Sequence, residues 1–209
     1  MRDLLLQDII TAHTDTTTSN QLEEFLPLFR FLLLRGSGPV SPERLATAMR
    51  LSCSEVEALL PSSGLVVAPS GHLHLSPGPH QIHLNGETLS GWCALDTLLF
   101  PLLMGHAARV VSTCPATGRP IRLTVTSQGT QDLDPQAAVV SLLLPGETTN
   151  AGNVQETICT YGNFFVDREH ASSWPDLHPD AVLLSVEDAA HLAREIANAS
   201  RRYAEKAES

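Results

Sequence analysis

Two cysteines and one aspartate carry the chemistry most readily read from this chain. Cys93 and Asp96 lie three residues apart in Gly-Trp-Cys-Ala-Leu-Asp-Thr-Leu-Leu-Phe, and Cys159 lies far downstream in Thr-Ile-Cys-Thr-Tyr. The first pair falls in an apolar segment that reads as a helix, and a thiol and a carboxyl at that spacing share one helix face. A soft nucleophile beside a proton carrier is unusual in a segment otherwise built for burial. With a second, distant thiol, the combination points to chemistry on a soft metal.

Each of the three also has a plainer reading. Thr88 or Ser90 capping the helix would leave Cys93 in its first turn, where the helix dipole and free amides favour the thiolate. Taken alone, Cys93 is better read as a small buried hydrophobe, the commonest fate of a free cysteine. Asp96, among Ala94, Leu95, Leu98 and Leu99, changes that balance. An acid there is either on the helix's exposed edge or buried for a reason. If buried, its pKa rises and it can hold and deliver a proton near neutral pH. Cys159 sits in a β-like run ending in Phe164-Phe165, and spacing alone does not connect it to Cys93.

The other candidates are weaker. Cys114, in Thr-Cys-Pro-Ala-Thr-Gly-Arg-Pro, reads as a structural residue in a turn, like half of a zinc knuckle without its partner ligands. Cys53 falls in a small helix and receives no role. Among nine histidines, His72, His74, His80 and His83 cluster around a hairpin and linker. No carboxylate or cysteine joins them at ligand spacing, and the cluster reads as solvent-facing. Four cysteines without a Cys-x-x-Cys pair support neither a disulfide scaffold nor a zinc finger.

These residues need a framework, and 209 residues suffice for one large domain or two small ones with real cores. The 43% hydrophobic and 17% charged content suits a soluble globular protein. Thirteen basic against 23 acidic residues give a net charge of −10, which argues against a nucleic-acid binder. The apolar start is too short, and too broken by acids, for a signal peptide or a membrane span. The cytoplasm, where thiols stay reduced, is the expected compartment.

Along the chain, residues 13–19 read as a polar lead-in. Asn20 and Glu23 form a capping box for a helix over 21–35, with Pro27 inside it and Gly36, Gly38 and Pro39 ending it. Ser41-Pro42 opens a second helix, Ser52 with Glu55 a third, and Leu65–Val67 with His72–Leu75 forms a hairpin. Three helices and a hairpin predict a winged-helix-like module over residues 1–78, with a boundary at Ser76-Pro77-Gly78-Pro79. The second helix of its Ser41–Leu60 pair offers Glu55 and Glu57 but no arginine after Arg50, which favours a structural role over DNA reading. Residues 79–209 predict a strand-rich α+β domain that carries the Cys/Cys/Asp site. Strands are expected at 81–84, 107–113, 119–126, 138–144, 158–166 and 181–185. The Cys93 helix runs to about Gly105, with Pro101 bending or restarting it. Trp174 and Leu177 fall in a short crossing, and a final helix spans Ser185–Tyr203, with Val186, Ala189, Ala190, Ala193, Ile196 and Ala197 inward.

Gly91-Trp92-Cys93-Ala94-Leu95-Asp96-Thr97-Leu98-Leu99-Phe100-Pro101 closely resembles the bacterial organomercurial lyase (alkylmercury lyase) family. The resemblance continues through Ala108-Arg109-Val110, Cys114-Pro115-Ala116-Thr117-Gly118 and Val139–Pro145, then Ile158-Cys159, Phe164-Phe165, and Leu184-Ser185-Val186 with the last helix. It implies that Cys93 and Cys159 are the catalytic cysteines and mercury ligands, that Asp96 is the catalytic acid and a further ligand, and that Cys114 is structural. Thr160 stands where members often have a second cysteine, and Tyr161 and Asn163 stand at positions often held by histidine.

The implied reaction is protonolysis of a carbon–mercury bond, giving a hydrocarbon and Hg(II). Thiolates are natural ligands of soft mercury, and a carboxyl in reach can pass a thiol's proton to the departing carbon. Trp92, Leu95 and Leu99 would suit a hydrophobic substrate and exclude water. No cofactor is implied. The implied partners are an organomercurial substrate, cellular thiols for product release, and a mercuric reductase to receive Hg(II). No nucleic acid or membrane is implied. The competing reading is a non-catalytic soft-metal-binding or metal-sensing protein using the same two cysteines. A winged-helix regulator with a metal-sensing domain is a third, and the acidic balance counts against it.

Overall fold

A computed structural model describes residues 20–143, 159–174 and 181–206. The lead-in at 13–19, the side chains of Asn20 and Glu23, and Leu177 lie outside the described residues. Helices Asn20–Arg35 (α1), Pro42–Met49 (α2) and Cys53–Leu59 (α3) precede a hairpin of Leu65–Val67 (β1) and Leu73–Leu75 (β2). These are the elements expected for the N-terminal module. Pro27 lies within α1 without ending it. Both short helices start from serine caps: Ser41 accepts from the Arg44 amide, and Ser52 with Glu55 completes a capping box.

Beyond the hairpin come His80–Leu84 (β3), Glu87–Gly91 (β4), Ala94–Met104 (α4), Ala108–Thr113 (β5), Pro120–Thr126 (β6), Gly129–Asp134 (β7) and Val139–Leu143 (β8). A 3-10 turn at Cys159–Tyr161, Phe164–Phe165 (β9), Ala181–Ser185 (β10) and Val186–Lys206 (α5) follow. Strands β4-β3-β5-β6-β7 form one antiparallel sheet and β10-β8-β9 another, so the described architecture is α+β.

The sequence accounts for most of this locally. Asn85 and Gly86 both take positive φ, 50° and 79°, as a two-residue hairpin turn requires. Ala108, Val110 and Ser112 on β5, and Ile121, Leu123 and Val125 on β6, alternate inward. On α4 every residue but Leu95 and Leu102 is buried, the pattern of a helix enclosed on all sides. It packs against α1, α5 and strands of both larger sheets, and Pro101 leaves it continuous up to the left-handed Gly105. Ser185 caps α5 by accepting from the Asp188 amide. All six residues expected on the inner face of α5 are buried, and Leu192 joins them.

Two expectations are corrected, and one strand is additional. The run 158–166 is no continuous strand: among its described residues Cys159–Tyr161 is a tight turn and only Phe164–Phe165 pairs with β8. Its polar groups are taken up elsewhere, as shown below. Strand β4 occupies the stretch read as a helix lead-in, so Thr88 and Ser90 are strand residues rather than caps. Strand β7, Gly-Thr-Gln-Asp-Leu-Asp, is a polar edge strand without the apolar alternation that marks its neighbours.

Candidate active site

The chemistry gathers at the N-terminus of α4. The first amides of any helix lack intrahelical partners, and here two groups from different parts of the chain take them. Asp96 reaches back so that one carboxylate oxygen accepts from the amides of both Trp92 and Cys93, each at 2.9 Å. The Ala94 amide donates to the carbonyl of Gly162, at 2.8 Å, in the turn that carries Cys159. Cys93 is therefore itself the N-cap residue, with φ −134° and ψ 169°, not a member of the first turn. Its sulfur lies on the Asp96 side and takes a bond from the Asp96 amide.

Gly162 makes this approach possible. A side chain there would begin 2.8 Å from Cβ of Cys93 and 3.4 Å from its sulfur, so only a bare backbone fits. Gly91 plays the same part on the other side, where a Cβ would meet the Thr97 methyl at 3.1 Å and Cβ of Asp96 at 3.3 Å. As a result Cys93, Asp96 and Cys159 bring their sulfur and carboxylate atoms within 4.8 Å of one another, all buried. Among the described residues no other His/Cys/Asp/Glu group has this geometry.

A serine holds the Cys159 turn in place. Ser141 on β8 donates its hydroxyl to the Tyr161 carbonyl at 2.7 Å and accepts from the Asn163 amide at 3.0 Å. Its own amide donates to the Asn163 carbonyl at 2.9 Å. These bonds replace the ladder that a strand at 158–166 would have made. Ser141 and Gly162 were not singled out from sequence; the available signal was a lone hydroxyl in the apolar run Val-Val-Ser-Leu-Leu and a glycine soon after the second cysteine. The side chain of Thr160 lies outside the described residues.

Burial sets the protonation of the site. The Asp96 carboxyl is raised to about 6, because desolvation outweighs its bonds from the Cys93 and Trp92 amides and the Cys93 thiol. Cys93 is pushed well above the ordinary thiol range by its hydrogen bond toward Cys159, then by burial and the neighbouring negative charge. The bond from Cys93 favours the Cys159 thiolate, but burial and Asp96 together outweigh it and that thiol is raised too. Cys93 is thus not the resting thiolate that a helix dipole alone would favour: its hydrogen bond toward Cys159, then burial and the nearby carboxylate, hold it protonated. Both thiols rest protonated beside a carboxyl that changes charge near neutrality.

Trp92 and Leu95 pack directly against the two cysteines, whereas Leu99 belongs to the main core. The Trp92 ring stacks edge-on to Phe100, 5.9 Å between centroids, and its indole N–H donates to Ser76 in the linker. Cys114 is buried in the β5–β6 turn, away from this cluster, and Cys53 is exposed. Among the histidines, His72, His74 and His83 are partly exposed, but His80 is buried, contrary to the solvent-facing expectation. It bonds Ser112 at 2.6 Å, and burial lowers its pKa to about 4.

The α+β fold encloses two thiols and a carboxyl whose sulfur and oxygen atoms lie within 4.8 Å of one another, a donor set of the kind that suits a soft metal. The family model described as alkylmercury lyase matches residues 73–198. The alkylmercury lyase of Pseudomonas putida is 38% identical over 190 residues, covering 87% of this chain and 88% of that protein. That of Bacillus cereus is 36% identical over 200 residues, covering 90% and 89%. The chain belongs to the alkylmercury lyase family. The crystal structure of the mercury-bound form of MerB2 shares the fold, with a TM-score of 0.65 at 21% identity over 93% of this chain and 98% of that one.

Two predictions follow from this geometry. Ser141→Ala removes both hydroxyl bonds to the Cys159 turn, leaving the backbone bond to Asn163, and should cost on the order of 1–3 kcal/mol in urea unfolding. It should also speed the reaction of Cys159 with an aromatic disulfide; unchanged stability and reactivity would remove the clamp. Asp96 has a folded pKa near 6 against an ordinary 3.8, so the folded state holds its proton more tightly and stability falls as pH rises between those values. Asp96→Asn should therefore gain stability relative to the parent by on the order of 2 kcal/mol between pH 4 and pH 7. Parallel pH–stability curves for the two proteins would contradict the raised pKa.

Proposed function

We propose that this chain is an organomercurial lyase that cleaves alkyl- and arylmercury compounds by protonolysis. The supporting observation is the buried meeting of Cys93, Cys159 and Asp96 within 4.8 Å, in a member of the alkylmercury lyase family. In this reading Cys93 displaces the substrate's exchangeable ligand and forms R–Hg–S, its proton leaving with that ligand. Cys159 then bonds the same mercury and its proton passes to Asp96. A second thiolate raises electron density on the metal and weakens the Hg–C bond. Asp96 delivers the proton to carbon as the bond breaks, giving R–H and Hg(II) held by both sulfurs. No electron is gained or lost in the sequence.

The resting protonation suits these steps. Neutral thiols avoid burying two anions beside a third, and a carboxyl with a pKa near 6 is ionised at neutral pH and ready to accept. Trp92 and Leu95 supply an apolar surface for the organic group. Release of Hg(II) falls to cellular thiols, which exchange two protons for the metal and restore the site, with a mercuric reductase as the onward acceptor. No helix among the described residues is long and apolar enough to cross a membrane. We place the reaction in the cytoplasm because the mechanism needs thiols kept reduced.

Headspace detection of methane from methylmercury, or benzene from phenylmercury, with excess thiol is the direct test. The wild type should release hydrocarbon over many turnovers, and Cys93→Ser or Cys159→Ser should release none. Asp96→Ala should lose hydrocarbon release while keeping mercury binding. Tight binding without hydrocarbon from the wild type would instead make this a sequestering or sensing protein. A protonated Asp96 cannot accept the thiol proton, so kcat/KM should fall as pH drops through about 6. A profile level from pH 5 to 8 would remove Asp96 from the proton path.

A further inference from the structure

At the other end of α4 from Cys93, a cavity of about 280 Å³ opens between the helix terminus, the β6–β7 turn and α5. Arg194, Asn198 and Arg201 line it from α5 at helical spacing, so they share one face of that helix. His106, Thr126 and Ser127 line the opposite wall, and among the described residues no aspartate or glutamate does.

Among the described residues nothing neutralises the two arginines there. Arg194 takes part in no hydrogen bond or ion pair among the described residues, and its Nε is withdrawn from solvent without a partner. Its Nη2 reaches to 3.8 Å from where a side chain on Gly129 would begin, so the absence of one leaves space for the guanidinium. Arg201 donates one Nη to the Leu102 carbonyl, and its remaining donors are left for another acceptor. Arg35, by contrast, is paired with Glu87. Burying even one guanidinium N–H without an acceptor is costly, and a chain of net charge −10 has acids to spare for pairing. A forked cation aimed into a concave polar space matches an oxyanion, whose oxygens accept two parallel N–H bonds.

We propose that this cavity binds a small oxyanion, a phosphate or a carboxylate, held by Arg194 and Arg201 with Asn198 as a further donor. The site is independent of the carbon–mercury chemistry, on the order of 15 Å along α4 from Cys93.

Calorimetric titration of the full chain at pH 7 with inorganic phosphate, and separately with succinate, tests this and separates the two ligand chemistries. One saturable site for at least one probe is expected, and the probe that binds identifies the class. Arg194→Gln should weaken it by about tenfold or more, the equivalent of one lost charge-assisted bond, while Arg119→Gln on an exposed turn should not change it. Asn198→Leu fills the cavity without touching either arginine and should also weaken binding; it decides the matter if Arg194→Gln does not fold. No saturable binding of either probe, or wild-type affinity in Arg194→Gln, overturns the proposal.

Discussion

The unsatisfied amides at the start of α4 organise this protein's chemistry. A helix buried on all sides cannot leave its first N–H groups to water. Two acceptors meet that need: the Asp96 carboxylate for Trp92 and Cys93, and the Gly162 carbonyl for Ala94. The first draws a carboxyl back over the N-cap thiol. The second draws in the turn that bears Cys159. One requirement of backbone hydrogen bonding thus brings the sequence-distant Cys159 to the neighbouring pair Cys93 and Asp96.

Burial then determines how that assembly behaves. A helix N-terminus ordinarily favours anions, yet both thiols are raised and Asp96 sits near 6. Desolvation and mutual repulsion exceed the dipole because three ionisable groups crowd one enclosed space. The resting site therefore holds its thiols protonated beside a carboxyl with a pKa near 6. The raised Asp96 pKa also weakens the fold at neutral pH, as expected where a site is built for reaction rather than stability. Trp92 ties this pocket to the segment between β2 and β3, since its indole is held by Ser76.

Support for the site comes from elements with no chemistry of their own. Ser141 on β8 commits its hydroxyl, as donor and as acceptor, to the Cys159 turn. Gly91 and Gly162 contribute by having no side chain. Helix α4 connects two polar regions: the thiol–carboxyl cluster at its N-terminus and the arginine-lined cavity at its C-terminus, with an apolar core along its length.

Local pattern alone was enough to read the serine-capped helices, the hairpin, strands β5, β6, β8 and β10 to within a residue, and the inner face of α5. Those features depend on caps, turns and periodicity within a few residues of one another. The Trp-Cys-Ala-Leu-Asp-Thr run likewise marked Cys93 and Asp96 as a pair, and family resemblance joined Cys159 to them. Strand β7 was missed because an exposed polar edge carries no apolar alternation, and β4 because its threonine and serine resemble helix caps. The Cys159 turn looked like a strand because its residues are β-formers; only Ser141 and Ala94, distant in sequence, supply the bonds that bend it. The protonation of the site was equally out of reach, since a thiol's pKa depends on which charges and how little water surround it. Residue types set which chemistry was possible, and packing across distant segments decided where the protons rest and which groups meet.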